Sequence, residues 1–587
     1  VRKKWIRCEV DLELRERISQ GLGISPIVAQ ILVNRGIREM EQAREFLVVS
    51  PANLLSPFLL NDMDRAVDRL LTAMEKGQKI LIYGDYDVDG VSATSLFTLF
   101  FRSQGVEADR YIPDRMTEGY GLNVAAMATI RDRGASVIIT ADCGTTSFQE
   151  IEAARAYGMD VIITDHHEPA PELPRAYALL NPNRRDSVYP FKGLTGVGVA
   201  FKLAQGILMR KAGRAGTDGR TAALAPDFPP ELYDYLDLVT LGTIADVAPI
   251  IGENRFFIKE GLQLLTRARR TGIAALKEVA GVKGAEASVG MVGFSLAPRL
   301  NAAGRLSRAD DGVQLLTTGD HEEAMDIARR LDRVNMERQK IEEQIRKEAR
   351  EQVLQQRDVE KEGVIVLESS SWHPGVIGIV ASKIAEEFFR PAVLIAVGPD
   401  GIGKGSARSI PAFHLYEALA ECRPLLEGFG GHKYAAGLTI RSENIPALRT
   451  RLSEVARQTL KAEDFIPRLK VDMEVELGGI SFALLKEMDL LSPFGVANPE
   501  PVLTSRGIDV TAPKIVGRGH LKMRARQGQV SVDTIGFQMG DTYRQFTTGE
   551  QRVDMAYTPE LNLWNGTYGV QLRLRDLRWS GLDDEHC

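Results

Sequence analysis

The 587-residue chain contains no run approaching the roughly 18 apolar residues that a membrane-spanning helix needs. Its first residues, Val1-Arg2-Lys3-Lys4-Trp5, lack the hydrophobic core of a secretory signal. Cysteine is scarce, with Cys8, Cys143, Cys422 and Cys587 making four, and no two of them form a Cys-x-x-Cys pair. That spacing argues against a zinc knuckle or a disulfide framework and points to a reducing compartment, so the cytoplasm is the expected location. Positive charge is not in excess either: 73 Lys and Arg stand against 79 Asp and Glu, a net charge of −6. Proteins that coat nucleic acid are usually basic. Any polyanion site here must therefore be a local basic surface, or use metal ions to offset phosphate charge.

What is present is the composition of an ordinary globular protein, 44% hydrophobic and 26% charged. The length predicts three or four domains, because single cores stop growing at roughly 250–300 residues. Lys79-Ile80-Leu81-Ile82-Tyr83, Val137–Thr140 and Val161–Thr164 are short apolar runs, with helix-like stretches at Ser92–Phe101 and Gln149–Tyr157 between them. Continuous apolar strands alternating with helices indicate an α/β domain with a parallel sheet covered on both faces. A Gly/Pro-rich stretch near 211–230 reads as an exposed insertion. Residues 320–357 hold no Gly or Pro and repeat apolar residues at near-helical spacing, a helix on the order of 55 Å long. It reads as a connector between domains or as one strand of a coiled-coil dimer. A second α/β unit opens at Gly363-Val364-Ile365-Val366-Leu367, and from Leu469 to Trp579 the pattern turns mostly β, with a hairpin signal at Asn565-Gly566. In size and strand content this end resembles an OB-fold.

Three apolar strands end in carboxylates or imidazoles: Asp85-Tyr86-Asp87-Val88-Asp89-Gly90, then Asp142, then Asp165-His166-His167. The carboxyl ends of strands in an open parallel sheet are where ligands bind. Hard oxygens with imidazole nitrogen suit Mn²⁺ or Mg²⁺, with Zn²⁺ or Fe²⁺ as alternatives. A calcium loop is disfavoured, because its twelfth position, counted from Asp85, is Leu96 rather than Glu.

Asp165-His166-His167 after a hydrophobic strand resembles the signature of the Asp-His-His (DHH) phosphoesterases. Asp85–Gly90 is similar to that family's first motif, Ala141-Asp142-Cys143-Gly144 to its second, and Gly242-Thr243-Ile244-Ala245-Asp246-Val247 to a fourth. The resemblance implies that Asp87, Asp89, Asp142, His166 and Asp246 hold two metals with Asp142 as the bridge, and that Asp165 orients the histidine pair. His167 is either a ligand or a contact to the scissile phosphate. Tyr83 stands where small-substrate members carry a His four residues before the Asp corresponding to Asp87, which leaves Asp85 to complete that metal site.

Trp372-His373-Pro374-Gly375-Val376-Ile377-Gly378 and Arg299-Leu300-Asn301-Ala302-Ala303-Gly304-Arg305-Leu306 resemble the RecJ exonucleases within this family, and Gly430-Gly431-His432 resembles the Gly-Gly-His motif of the domain accompanying the catalytic one. The likeness implies that Arg305, Ser406 and Arg408 grip a 5′-phosphate. Arg299, Asn301, His373, Gly431 and His432 would help hold the strand. In the end domain, Lys522, Arg524 and Arg526, and again Arg573 and Arg575, alternate with apolar residues, so a strand would put them on one face, either as a DNA surface or as a solvated sheet. Trp564 and Tyr568 are stacking candidates. The expected organisation is an N-terminal segment (1–50), a DHH catalytic domain (51–250) with a helical extension (251–319), the connector helix (320–357), a DHH-associated domain (358–462) and an OB-fold-like domain (463–587). The expected activity is two-metal, 5′→3′ hydrolysis of single-stranded DNA to mononucleotides in repair and recombination. The alternatives are a phosphodiesterase for short oligonucleotides or cyclic dinucleotides, and a non-catalytic replication scaffold. The resemblance further implies a monomer that works with single-strand-binding protein and a RecQ-type helicase, away from membranes.

Overall fold

The structure, a computed structural model, describes residues 3–114, 118–119, 121–213, 228–306, 309–355, 363–546, 552–564 and 567–580. The Asn565-Gly566 signal, the Trp564 side chain and most of the 211–230 insertion lie outside the described residues. The chain divides into two compact units, one holding Ile6–Gly304, the start of the long helix and the chain from Lys470 onward, the other holding Leu331–Leu469 together with Arg305.

In the larger unit, Ile80–Gly84 (β1), Asp109–Tyr111 (β2), Val137–Ala141 (β3), Asp160–Thr164 (β4) and Ala178–Leu180 (β5) form a sheet of order β2-β1-β3-β4-β5, parallel throughout. Every residue of β1 and β3 is buried. Two covered faces leave no solvent side, so these strands read as unbroken apolar runs rather than alternating ones. The strand order reverses between β1 and β3, and the carboxyl ends at such a switch point open a crevice. Helices Val88–Ser103 (α1) and Gly196–Lys211 (α2) pack on the sheet, Leu236–Ala245 (α3) packs on both of them, and Gly252–Arg267 (α4) packs on α3. Ala297–Leu306 (α5) continues the helical extension.

The connector is one helix, His321–Gln355 (α6). Its Ile345, Ala349 and Val353 are buried in a core with Ile365, Leu367, Trp372 and Val380 of the smaller unit. That part of the apolar seam is used within the chain, which supports the connector reading. Arg338, which interrupts the seam, is buried beside Glu342 (2.5 Å) and Asn335 (2.7 Å). The smaller unit is a mixed sheet of Ile365–Ser369 (β6), Ala392–Val397 (β7), Ile402–Arg408 (β8), Leu426–Gly431 (β9) and Ala435–Arg441 (β10), order β9-β10-β8-β7-β6, with helix Ile377–Phe388 (α7) against β7 and β8.

Leu503–Val516 (β11), His520–Gln527 (β12), Val530–Gly536 (β13), Arg552–Trp564 (β14) and Thr567–Trp579 (β15) pair in sequence β11-β12-β13-β15-β14, and β14 returns to β11. The closure makes the five-stranded barrel of an OB-fold. The N-terminal helices Leu12–Leu22, Pro26–Asn34 and Met40–Leu47 do not stand apart from it. Leu14, Ile18, Val28 and Leu32 share one core with Leu477, Leu484, Leu503 and Leu521.

Candidate metal centre and phosphate-holding surfaces

The three strand-end aspartates align because the parallel ladder runs one residue past each strand. Asp85 N–H donates to Ala141 O (3.1 Å), Asp142 N–H to Thr164 O (3.0 Å) and Asp165 N–H to Leu180 O (3.1 Å). Asp87 caps α1, accepting from the N–H groups of Asp89 and Gly90. Asn301 of α5 accepts from the Val88 N–H (3.2 Å), tying that helix to the same turn. Asp89, one residue into α1, accepts from Gly196 N–H (2.6 Å) and Val197 N–H (3.0 Å) at the start of α2, where free N–H groups and the helix dipole favour an anion. A Cβ at Gly196 would lie 2.4 Å from that of Asp142, so only glycine lets α2 approach both carboxylates. Asp246 follows α3 at its C-terminus.

His166 Nε2 faces Asp142 Oδ1 at 3.2 Å, Asp246 Oδ2 at 3.7 Å and Asp89 Oδ2 at 3.8 Å. Three groups have ligand atoms within 4.8 Å of one another: Asp142, His166 and His167; Asp89, His166 and Asp246; Asp85, Asp87 and Asp142. Asp85 Oδ1, Asp142 Oδ1 and His166 Nε2 are buried without a hydrogen-bond partner. Burial, with the Asp87 charge added, pushes Asp89 up to about 7. Burial beside Asp89 and Asp87 pushes Asp246 up to about 8. Asp85 and Asp142 lie well above the carboxylate range, again through burial and then through Asp87 and Asp89 respectively. Burial, with His167 adjacent, lowers His166 to about 4. Crowded, desolvated oxygens around a neutral imidazole fit divalent cations, because a cation supplies the charge that the protein withholds.

Asp165 behaves differently. It accepts from Thr145 N–H (2.9 Å), His166 N–H (2.7 Å) and His167 N–H (3.1 Å), and its Oδ1 lies 2.7 Å from His167 Nδ1. Burial opposes its ionisation, but His167, His166 and Thr145 together outweigh burial and hold it well below the usual range. Burial likewise disfavours a charged His167, yet the Asp165 contact raises it to about 9. Tyr83 takes no part: it is fully buried and donates its hydroxyl to Gly121 O (3.1 Å). The sequence reading missed Asn181 and Asn183, whose amides donate to the carbonyls of His167 (2.8 Å) and His166 (2.6 Å). They follow β5 as the aspartates follow β1, β3 and β4, so the same strand-end rule points to them.

In the smaller unit, Arg305 Nη1 donates to Gly375 O (3.0 Å), and His373 Nδ1 accepts from Gly375 N–H (3.1 Å). Arg408 Nη1 donates to Ser406 Oγ (3.2 Å). A Cβ on Gly378, in the first turn of α7, would lie 2.9 Å from Ser406 Oγ and 3.4 Å from Arg408 Nη2. Arg305 and His373 thus share Gly375, and Ser406 and Arg408 flank Gly378 three residues on. Arg299 turns back onto Ser295 O (2.6 Å). Gly431, at φ +143, lies where a Cβ would come within 2.4 Å of Ala435 O, so its glycine is demanded by the β9–β10 turn, and His432 beside it is exposed.

On the barrel, β12 carries Lys522, Arg524 and Arg526 on one face, with Leu521, Met523 and Ala525 buried on the other. Arg524 pairs with Asp533 (3.0 Å). Arg573 and Arg575 of β15 both engage Glu500, and Arg573 also lies 3.4 Å from Glu560. Tyr568 is 60% exposed.

Comparison with known proteins finds three domains along the chain. The DHH family N-terminal domain matches residues 79–243, the DHHA1 domain 361–458 and the RecJ OB domain 471–576. The single-stranded-DNA-specific exonuclease RecJ of Bacillus subtilis (strain 168) is 42% identical over 576 residues, covering 98% of this chain and 70% of that protein. The crystal structure of RecJ from Thermus thermophilus in complex with Mn²⁺ superposes with a TM-score of 0.81 at 30% identity, covering 98% of this chain and 79% of that one. Its Mg²⁺ complex gives 0.75 at 29%, covering 98% and 78%.

Proposed function

The chain belongs to the RecJ family of DHH phosphoesterases, and on that premise we propose that it shortens single-stranded DNA from the 5′ end, releasing 5′-mononucleotides during repair and recombination. It is a metal-dependent, single-stranded-DNA-specific exonuclease with Mn²⁺ or Mg²⁺ as cofactor. The observation that carries the reading is the convergence of Asp85, Asp87, Asp89, Asp142, His166 and Asp246 at one sheet rim, with buried ligand atoms that lack partners.

In this reading Asp85, Asp87 and Asp142 would hold one divalent ion and Asp89, His166 and Asp246 would hold a second, with Asp142 shared between them. The chemistry a pair of divalent ions supplies is activation of water near neutral pH and neutralisation of charge on the phosphate and leaving oxygen. The chain's own residues hold that arrangement. The α2 N-terminus fixes Asp89, Asn181 and Asn183 fix the histidine loop, and Asn301 positions the turn that carries Asp87. His167 is near the metal groups, but its Nδ1 is engaged by Asp165 at 2.7 Å, so we assign its ring to the scissile phosphate, with Asp165 as the residue that orients it. Arg305, Ser406, Arg408 and His373 supply guanidinium, hydroxyl and imidazole groups of the kind that bind a terminal phosphate. Among the described residues no helix is long and apolar enough to cross a membrane. We further propose a cytoplasmic location, a monomeric state and work alongside single-strand-binding protein and a RecQ-type helicase, with the family resemblance as support.

The test is digestion of end-labelled single strands with Mn²⁺, comparing 5′-phosphorylated, 5′-blocked and duplex substrates. Label released from the 3′ end first, or equal cleavage of duplex, would refute the proposal. Truncating the barrel is the wrong control, because it would strip the core shared with the N-terminal helices.

A further inference from the structure

Beside the metal centre, the larger unit has a cleft of about 1220 Å³. Ala245, Val247 and Asn301, neighbours of the metal-centre residues in sequence or contact, line it, as does Glu500, the partner of Arg573 and Arg575. That volume exceeds the roughly 300–1,000 Å³ of small-molecule pockets and suits part of a polymer. Phe294 also lines it and is 86% exposed, the most exposed of the described large hydrophobic side chains. With Val247 and Val496 exposed in the same lining it makes an apolar patch, and such a patch beside a reaction centre calls for a reason.

The backbone supplies one. Phe294 lies in a π-helical turn, Val292–Leu296, between Val289–Met291 and α5. Such turns insert an extra residue, redirect the side chains around it and recur at functional sites. A Cβ on Gly293 would lie 3.9 Å from Ile244 Cγ2, so the turn rests against α3 two residues before Asp246. The cleft also contains Val496, on a loop pinned by two guanidiniums. Arg255 donates to Leu491 O (2.9 Å) and Leu490 O (2.8 Å), and Arg35 donates to Pro499 O (2.6 Å). Val247 and Val496 are 67% and 45% exposed. Charged residues in the lining are Lys259 against Glu286, Asp489 and Glu500, a balance that disfavours phosphates but leaves apolar wall for the flat faces of bases.

We propose that Phe294 is a substrate-stacking residue that takes the face of one base a short way along the strand from the scissile phosphate and so sets the strand's register. The inference rests on the single-strand exonuclease reading. Stacking on an aromatic ring is sequence-tolerant and commonly contributes about a tenfold change in affinity per base.

The test measures single-turnover release of the first nucleotide with Mn²⁺ from a set of 5′-phosphorylated oligonucleotides, each lacking one base at a different position. Phe294→Ala should raise the half-saturating concentration roughly tenfold on the intact strand, with the maximal rate changed less than about twofold and the thermal midpoint unmoved. Phe294→Trp should restore wild-type behaviour. The alanine penalty should vanish for one abasic position and persist for the others. No penalty on the intact strand, or an equal penalty whichever base is missing, overturns the proposal. Failure of the wild-type protein to release nucleotides at all would instead refute the underlying activity.

Discussion

The rim of the parallel sheet and the outer face of the barrel are both rich in charge, yet they manage it in opposite ways. On the rim, like charges crowd together: Asp85, Asp89 and Asp142 are at most 2% exposed, and two of them present an oxygen with no partner. On the barrel, opposite charges alternate, as in Arg524–Asp533, Arg552–Asp509 and Glu500 with Arg573 and Arg575, and all of these remain at least partly exposed. Buried like charges raise the energy of the folded chain until something of opposite sign joins them. Exposed pairs are worth little and exchange readily for another anion. The first region therefore requires a ligand, and the second can do without one.

The largest effect should come from removing the carboxylate common to two ligand groups. Asp142→Ala is expected to cut exonuclease activity by on the order of a thousandfold or more, while the metal-free protein keeps or raises its thermal midpoint because crowding is relieved. Unchanged cleavage would remove the site assignment. Asp165→Asn should cost roughly 10–100-fold. Because Asp165 raises His167 to about 9 in the metal-free protein, the His167 ring of the metal-free variant should titrate back toward the ordinary imidazole range; superimposable histidine titrations by NMR would sever that link. Without metal, the two regions should also respond to pH with opposite sign. Asp89 and Asp246, raised from 3.8 to about 7 and about 8, keep protons that the unfolded chain has already released, so this contribution to stability falls as pH rises from 3.8 to about 8. Glu500, where Arg573 and Arg575 outweigh burial and lower the carboxyl, contributes stability above the unfolded carboxylate value and loses it as pH falls through its folded one. Saturating Mn²⁺ should flatten only the neutral-range slope, which thermal melts across pH would read directly.

The parts of this contrast differ in how plainly the sequence states them. Strands buried on both faces leave unbroken apolar runs, so Asp85, Asp142 and Asp165 announce themselves as the residues that end them. Asp246 ends a helix rather than a strand, and only the family's motif picks it out. Asn181 and Asn183 obey the strand-end rule, but they act by donating to backbone carbonyls, a role that residue type alone does not announce. The core shared by the N-terminal helices and the barrel joins Leu14 to Leu477 and Leu503, contacts across more than four hundred residues that no local pattern encodes. The alternating arginines of β15 are visible as a face, but Glu500, which neutralises them, lies on a separate loop, and nothing in the spacing predicts the meeting. Phe294 depends on a π-turn, which has no sequence period of its own.

Glu500 offers the finest test of whether the barrel's charge can be exchanged. If phosphate competes with this carboxylate for Arg573 and Arg575, Glu500→Gln should bind single-stranded DNA a few-fold more tightly at low salt. The dependence of log affinity on log salt should steepen by roughly 0.7 for each guanidinium released. Arg573 keeps its contact with Glu560, so the steepening should correspond to fewer than two full charges. Arg526→Ala, on the exposed face of β12, should move both quantities the other way by about one phosphate contact. Equal salt slopes in wild type and Glu500→Gln would mean that these arginines never meet the strand. Their pairing would then be structural, and the barrel's share of DNA binding would fall to the β12 face alone.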